Sequence, residues 1–243
     1  MPTRGQALTP DSSNFDPLYA GKAPLQGLGM EADFAPWNIG EAQPGVVALE
    51  KAGGFRGDVL DAGCGRGENA IHLASRGHRV TGFDGSASAI AQATETSHAR
   101  GVDVTFVVAD AVDLQGVPGE FDSVLDYGLY HCLSDEQRQR YAAALHGACR
   151  PGATLHLFSF AESALPGPPP PYLRVSEDNL RANLGSHWRI LDIRTVRSVT
   201  MFTREFLREQ RAKKAAIRDP DTFDTDDRGR ILLQMSQVEA QRV

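Results

Sequence analysis

Three aspartates, each at the end of an apolar run, are the residues whose spacing first indicates chemistry. Asp61, Asp84 and Asp110 all follow stretches rich in apolar and β-branched residues. If these stretches are neighbouring strands of one parallel sheet, the carboxylates border a single crevice, because such sheets bind ligands at the carboxyl ends of their strands. In doubly wound folds, a carboxylate at the end of the second strand accepts hydrogen bonds from ribose hydroxyls, and Asp84 occupies this position. The pattern predicts a site for a nucleotide-like ligand.

A glycine-rich turn follows the first aspartate. Glycines stand at positions 63, 65 and 67, and an amphipathic segment begins at Ala70, so the stretch reads as strand, tight turn and helix. Glycine suits a turn on which a ligand lies against the backbone, and the helix start behind it offers unpaired N–H groups. A dinucleotide-binding loop has the spacing Gly-x-Gly-x-x-Gly, and its last position here is Glu68. The spacing therefore disfavours a dinucleotide.

Alternating strand and helix patterns position these residues. After the run that reaches Asp61, we predict strands over 79–84, 102–109, 121–126, 154–160, 187–196 and 230–238. Helices are predicted over 46–51, from the glycine turn to about 76, and over 87–100, 134–148, 176–184 and 203–217. Ser134 and Ser176 are the expected N-caps of two of them.

The motif Asp-x-Gly-x-Gly-x-Gly resembles the first motif of class I S-adenosylmethionine (SAM) methyltransferases, and the similarity extends from Asp58 to about Phe160. The resemblance implies a Rossmann-like, doubly wound α/β fold. Its seven-stranded sheet would be mostly parallel with the last strand antiparallel. It also implies SAM as cofactor and S-adenosylhomocysteine as product.

The same resemblance implies a set of cofactor-binding residues. They are Trp37, Asp61, Gly63, Cys64, Gly65, Asp84, Gly85, Asp110, Ala111, Asp126 and Tyr127. Asp84 would bind the ribose, although it could instead cap the next helix, a role that Ser86 or Ser88 would serve equally well. Asp110 would meet the adenine amino group, and the neighbouring backbone would meet the ring.

The flanks are more loosely similar to one branch of the family. Pro-Trp-x-x-Gly-x-x-x-Pro, from Pro36 to Pro44, resembles the segment that precedes the core in thiopurine, halide/thiol and bacterial heterocyclic-toxin methyltransferases. Residues 1–45 are then an N-terminal arm that forms a lid over the cofactor, and residues 46–243 are the methyltransferase domain, with an insertion at about 200–229. Trp37 would seal the cofactor from water, or alternatively only fasten the arm to the core.

The run Asp-Tyr-x-x-Tyr-His-Cys, starting at Asp126, bears on the acceptor. Methyltransferases that act on nucleic-acid bases carry Asn/Asp-Pro-Pro-Tyr/Phe there, so the run favours the small-molecule branch. We expect methyl transfer to N, O or S of a small aromatic or heterocyclic acceptor, in detoxification or specialised metabolism. If the acceptor needs a base, the candidates are His131 and Tyr130, although His131 could simply line the pocket. Tyr19, Phe160 and Phe202 are the expected substrate-pocket residues.

Composition limits the other function classes. The net charge of −6 argues against nucleic-acid binding, and three cysteines without a Cys-x-x-Cys pair argue against a disulfide framework or a zinc site. No apolar stretch suggests a signal peptide or membrane span. We therefore expect a cytoplasmic monomer or homodimer without a metal. A non-catalytic SAM-binding sensor stays open. A dehydrogenase and a metal-dependent catechol-type methyltransferase are disfavoured.

Overall fold

A computed structural model describes residues 15–22, 32–161, 173, 175–213 and 218–243. Parts of the predicted N-terminal arm (1–14 and 23–31) and of the predicted insertion (214–217) therefore lie outside the described residues. The helices are α1 (Asp16–Tyr19), α2 (Pro44–Lys51), α3 (Glu68–Ser75), α4 (Ala87–Ala99), α5 (Asp135–Ala148), α6 (Glu177–Leu184) and α7 (Arg204–Lys213). The strands are β1 (Asp58–Ala62), β2 (Arg79–Asp84), β3 (Thr105–Val108), β4 (Phe121–Tyr127), β5 (Cys149–Phe160), β6 (Trp188–Thr203) and β7 (Arg230–Arg242).

All seven strands join one sheet in the order β3-β2-β1-β4-β5-β7-β6. The pairs from β3 through to β5 are parallel, whereas β7 runs antiparallel to both β5 and β6. The predicted mixed sheet with an antiparallel last strand is therefore confirmed. Because the chain order of the strands reverses between β1 and β4, a crevice opens there at their carboxyl ends.

The sheet is covered on both faces, as its hydrophobic runs require. Successive β1 residues Val59 and Leu60 are both fully buried but belong to different hydrophobic clusters, one on each side of the sheet. The larger cluster contains Trp188, whose indole N–H donates to the Ala142 carbonyl at 3.0 Å.

Local signals determine the helix starts. Ser134 accepts a hydrogen bond from the Gln137 backbone and donates its own N–H to the Gln137 side chain, which forms a capping box at α5. The Ser176 side chain caps α6 in the same position. Both predicted N-caps are found.

Strand β6 is longer than the sequence indicated. It continues past Val196 to Thr203 and pairs with β7 along most of its length, with register shifts between Ile190 and Asp192 and between Val199 and Thr203. The predicted insertion would therefore begin after Thr203. The β-branched and aromatic run Val-Thr-Met-Phe-Thr explains the extension. Thr200 and Phe202, which were predicted to lie in the insertion, thus belong to the edge strand and line the cavity.

Candidate functional site

A cavity of about 880 Å³ opens at the carboxyl ends of the strands, at the switch point between β1 and β4. The cavity has two parts, which we call the glycine-turn half and the aromatic half. The glycine-turn half is bounded by the β1–α3 turn and by the ends of β2 and β3. The aromatic half is bounded by the ends of β4, β5 and β6, the start of β7, and the arm around Trp37. This size and position suit a cofactor together with a small second ligand.

At two positions of the turn after β1, a side chain would collide with a neighbouring residue. Gly63 has φ +66°, and a Cβ there would lie 2.8 Å from Leu129 Cβ. Gly65 has φ +53°, and a Cβ there would lie 2.9 Å from the Tyr19 hydroxyl oxygen. Both conformations favour glycine. The turn therefore presents bare backbone to the cavity, beside the start of α3.

The Asp84 carboxylate lies at the cavity wall and is fixed at both oxygens. Oδ2 accepts from the Gly65 N–H at 2.9 Å, and Oδ1 accepts from the Ser86 N–H at 2.8 Å. Ser86, not Asp84, caps α4, since its side chain accepts from the Ala89 N–H. Burial raises the pKa of Asp84. The carboxylate thus links the glycine turn to β2, and each of its oxygens can still accept a further hydrogen bond from a ligand.

The end of β3 supplies the outer wall of the glycine-turn half. Asp110 and Ala111 both line it, and Asp110 Oδ1 accepts from the Val112 N–H at 3.0 Å. Gly85 and Cys64 line the same half. The four lining residues Cys64, Gly85, Asp110 and Ala111 were named from the sequence.

Two of the predicted cofactor ligands, Asp61 and Asp126, do not line the cavity. Asp126 is fully buried and accepts hydrogen bonds from the backbone of Leu129 and Tyr130 and from the Tyr141 hydroxyl. Its carboxylate is used to fold the segment after β4, so the expectation of direct cofactor contact is wrong.

Asp61 lies beneath the turn and is 1 % exposed. It accepts from the Ala70 backbone, while its Oδ2 has no partner among the described residues. Burial, and more weakly the charges of Asp126 and Asp84, raise the pKa of Asp61 to about 7. An acid at a strand end therefore does not by itself reach the ligand.

The N-terminal arm covers the cavity from above. Trp37 donates its indole N–H to the Tyr19 hydroxyl at 3.0 Å, and its ring meets Phe15 edge-on at 5.5 Å. Asp16 fastens α1 to the start of α4 by accepting from the Ser86 hydroxyl at 2.7 Å and the Ser88 N–H at 2.8 Å. Tyr19, expected in the substrate pocket, instead lies against the glycine turn.

The aromatic half carries the other expected pocket residues. His131 and Phe160 pack together with ring centroids 4.4 Å apart, and Phe202 lines the same part of the cavity. Tyr127 lines it too, and its hydroxyl donates to Ser198 Oγ at 2.8 Å.

The second base candidate, Tyr130, lies in the core. It is fully buried, its hydroxyl lies 3.4 Å from the Asn179 side chain, and the Arg138 guanidinium lies 5.1 Å from its ring centroid. It does not line the cavity. The short 3₁₀ turn from Tyr130 to Cys132 directs adjacent side chains apart, so Tyr130 and His131 cannot both reach the ligand.

Gln43 is the main residue that the sequence did not indicate. Its amide donates to the Val199 carbonyl at 3.0 Å and the Trp37 carbonyl at 3.3 Å, and its backbone N–H donates to Asn69 Oδ1 at 3.0 Å. It therefore joins the arm, β6 and α3. Other unpredicted lining residues are Asn69, Ser198, Thr200, Leu233 and Met235.

Neither a metal cluster nor a membrane span is found in the part of the chain that the structure describes. No group of three His, Cys, Asp or Glu side chains is placed to hold a metal ion there, and no helix there is long and apolar enough to cross a bilayer.

Comparisons with known proteins extend these observations. Residues 59–152 match the family model described as a methyltransferase domain. The chain is 38% identical over 188 residues to 2-heptyl-1-hydroxyquinolin-4(1H)-one methyltransferase of Mycobacteroides abscessus, an alignment that covers 75% of this chain and 79% of that protein. It is 31% identical over 150 residues to thiocyanate methyltransferase 1 of Brassica oleracea, covering 60% and 66%.

A solved structure is also similar over nearly the whole chain. It was described under "Conversion of a Disulfide Bond into a Thioacetal Group during Echinomycin Biosynthesis", and it matches with a TM-score of 0.75 and 36% identity. The match covers 94% of this chain and 90% of that one. The similarity therefore includes the arm and the aromatic half as well as the domain core.

Proposed function

We propose that this chain, which belongs to the class I SAM-dependent methyltransferases, methylates an oxygen or sulfur atom of a small aromatic acceptor that is already anionic near neutral pH. Its cofactor is SAM. The proposal rests on one observation. Among the described residues that line the aromatic half, neither His131 nor Tyr127 can take a proton at neutral pH.

The glycine-turn half fits SAM. The turn at Gly63 and Gly65 offers backbone that a Cβ would obstruct, which suits the methionine part, and Asp84 offers a fixed carboxylate to ribose hydroxyls. Asp110 and Ala111 would flank the adenine. Trp37 and Tyr19 would cover the cofactor, so these residues together hold it and keep it dry.

SAM supplies a methyl group on a sulfonium, and the S–CH₃ electron pair stays on sulfur to give S-adenosylhomocysteine. The protein's task is to hold the acceptor's lone pair in line with that bond, about 3 Å away and away from water. Phe160 and Phe202 provide apolar walls for a flat ring. An anionic acceptor becomes neutral on methylation, so no proton has to leave.

Neither His131 nor Tyr127, the titratable rings of the aromatic half, is a base at neutral pH. Burial, and more weakly the charge of Arg138, lower the pKa of His131 to about 3. Burial raises the pKa of Tyr127 above its ordinary value, so its phenol keeps its proton. The Glu41 carboxylate is engaged by Arg228 at 2.9 Å and Arg230 at 3.0 Å. An acceptor that ionises by itself needs none of them.

The similarities support this acceptor class. A hydroxyquinolone methyltransferase and a thiocyanate methyltransferase are both relatives by sequence, and their named substrates present oxygen and sulfur atoms respectively. The structure connected with disulfide-to-thioacetal conversion again involves sulfur.

Two measurements test the proposal. Calorimetry with SAM and S-adenosylhomocysteine tests the cofactor, and methyl transfer to 2-heptyl-1-hydroxyquinolin-4(1H)-one, an aromatic thiol and a simple phenol tests the acceptor. We expect transfer to the first two at neutral pH, and transfer to the phenol only as pH approaches its pKa of about 10. If the un-ionised phenol is methylated at neutral pH as fast as the quinolone and the thiol, the proposal is contradicted. Cofactor binding without transfer to any acceptor would indicate a SAM sensor instead.

The ribose role of Asp84 has a matched control. Asp84→Ala should weaken SAM binding by roughly 1–3 kcal/mol, because hydrogen bonds to a carboxylate are lost. Asp103→Ala, an exposed aspartate at the opposite edge of the sheet, should leave affinity unchanged. Equal affinity of both variants in calorimetry would remove Asp84 from the site.

A further inference from the structure

His131 is held in one position by its neighbours. It lies in the 3₁₀ turn Tyr130–Cys132 after β4, and its ring packs against Phe160 at an interplanar angle of 36°. On another side it meets Gly128, where a Cβ would lie 3.3 Å from His131 Cε1. The residue is 7% exposed, and this remaining surface lines the cavity. The imidazole therefore presents a defined edge to a ligand.

The backbone also selects the tautomer. The Phe160 N–H donates to His131 Nδ1 at 3.4 Å. A backbone amide keeps its hydrogen at any ordinary pH, so Nδ1 must offer a lone pair, and the hydrogen of the neutral ring then lies on Nε2. A second hydrogen on Nδ1 would point at the amide hydrogen. This contact adds to burial in keeping the ring uncharged.

Two other polar groups of the aromatic half are already paired. The Tyr127 hydroxyl donates to Ser198, and the Thr200 hydroxyl donates to the Ile231 carbonyl at 3.0 Å. By contrast, no acceptor for Nε2 is found within the described ranges, and Nε2 is not among the buried polar atoms that lack a partner there. Nε2–H is therefore a donor available to a ligand in a largely apolar space.

We propose that His131 is not the base of this enzyme but a fixed hydrogen-bond donor, whose Nε2–H binds the anionic oxygen or sulfur of the acceptor. This inference rests on the proposed function and specifies how the same site recognises its substrate. A donor aimed at the reacting atom stabilises the anion more than its protonated form, so the site selects the ionised acceptor. The donor loses no proton during the reaction, in agreement with an anion becoming a neutral product.

The first test reads the tautomer without any turnover. In ¹H–¹⁵N spectra of the labelled protein, with His131 assigned by its loss in His131→Gln, we expect a neutral ring with hydrogen on Nε2 at every pH from about 5 to 8. Hydrogen on Nδ1, or a titration midpoint within this range, would overturn the inference. Because this measurement needs no substrate, its outcome is independent of the proposed function.

The second test measures binding of 2-heptyl-1-hydroxyquinolin-4(1H)-one to the complex with S-adenosylhomocysteine. His131→Leu removes the donor and should weaken binding of the anion roughly 10- to 100-fold. The wild-type complex should bind the quinolone as its anion at a pH where the free compound is still protonated. The absorbance spectrum of the quinolone distinguishes the anion from the protonated form. His131→Leu should abolish this shift.

Two further variants keep the result interpretable. His131→Gln retains a donor, and its carbonyl can accept from the Phe160 N–H, so it should restore most of the affinity. His98→Gln, an exposed histidine on α4, should behave as wild type. Circular dichroism identifies a variant that fails to fold. If the enzyme transfers methyl groups but His131→Leu binds the quinolone as tightly as wild type, the donor role is wrong while the proposed function stands. If no SAM binds, the proposed function fails whatever the tautomer.

Discussion

The two halves of the cavity differ in how far apart their residues lie along the chain. The floor of the glycine-turn half comes from one short stretch, residues 63–69, together with the ends of the next two strands. The aromatic half depends on contacts between distant segments, such as the hydrogen bond from Gln43 to the Val199 carbonyl, 156 residues away. A local motif thus builds the half in which we propose that the cofactor binds. Only long-range pairing builds the half in which we propose that the acceptor binds.

This difference matches what each half has to recognise. A cofactor shared across a family can be held by a conserved geometry of turn and strand ends, which a short segment specifies. An acceptor pocket depends on which side chains meet across the end of the sheet, and β6 is separated from β1 by three strands. The cofactor therefore follows from the family, whereas the acceptor has to be tested on this chain.

The largest expected effect tests whether the glycine turn acts locally. Gly63→Ala places a Cβ 2.8 Å from Leu129 Cβ at φ +66°, so we expect a loss of about 3 kcal/mol in stability and of at least tenfold in SAM affinity. Gly53→Ala is the control, since its φ is +75° but its Cβ would meet nothing within 4 Å. It should cost about 1–2 kcal/mol and leave SAM binding unchanged. Urea unfolding and calorimetry measure both; equal effects of the two variants would contradict a special role for the turn.

A smaller effect tests the arm, which spans both halves. Trp37→Ala removes the ring contact with Phe15 and the hydrogen bond to Tyr19, so S-adenosylhomocysteine should dissociate about tenfold faster. Trp37→Phe keeps an aromatic cover but loses a hydrogen bond of about 1 kcal/mol, so the rate should rise only a few-fold. Stopped-flow release distinguishes the two. If Trp37→Ala lowers the melting temperature but leaves release unchanged, Trp37 only fastens the arm to the core.

A further effect concerns Asp61 and depends on pH. The pKa of the buried carboxyl is about 7 instead of the ordinary 3.8, so the folded state binds this proton more tightly than the unfolded state does. Stability is therefore lost as pH rises through the interval from about 4 to 7. Asp61→Asn does not titrate, so its stability relative to wild type should be greater at about pH 8 than at about pH 5, by roughly 1–3 kcal/mol. Urea unfolding at both pH values measures this, and an equal difference at both would show that Asp61 is not the titrating group.

The features that a local signal determines were predicted correctly from the sequence. The order of strands and helices, the caps at Ser134 and Ser176 and the family were correctly predicted, because periodicity, capping residues and a glycine turn act within a few residues. The predicted site roles of Asp126 and Tyr130 were wrong. The Asp126 carboxylate accepts a hydrogen bond from Tyr141 inside the fold, and Tyr130 belongs to the hydrophobic core. Gln43 was missed, because a glutamine near a proline carries no signal of its own until β6 lies beside it.

The sequence by itself determined the class I fold, the SAM cofactor and the stretch on which that cofactor is expected to lie. The fold and the cofactor were implied by the resemblance of short motifs to class I methyltransferases, and the stretch was indicated by local patterns of apolar, acidic and glycine residues. The tertiary structure alone decided that β6 continues into the cavity wall, that Asp61 lies beneath the turn, and that the Phe160 amide faces His131 Nδ1. The burial and hydrogen-bond partners of a side chain depend on segments far away in the chain, and these two properties set whether an acid, a tyrosine or a histidine can take part in chemistry.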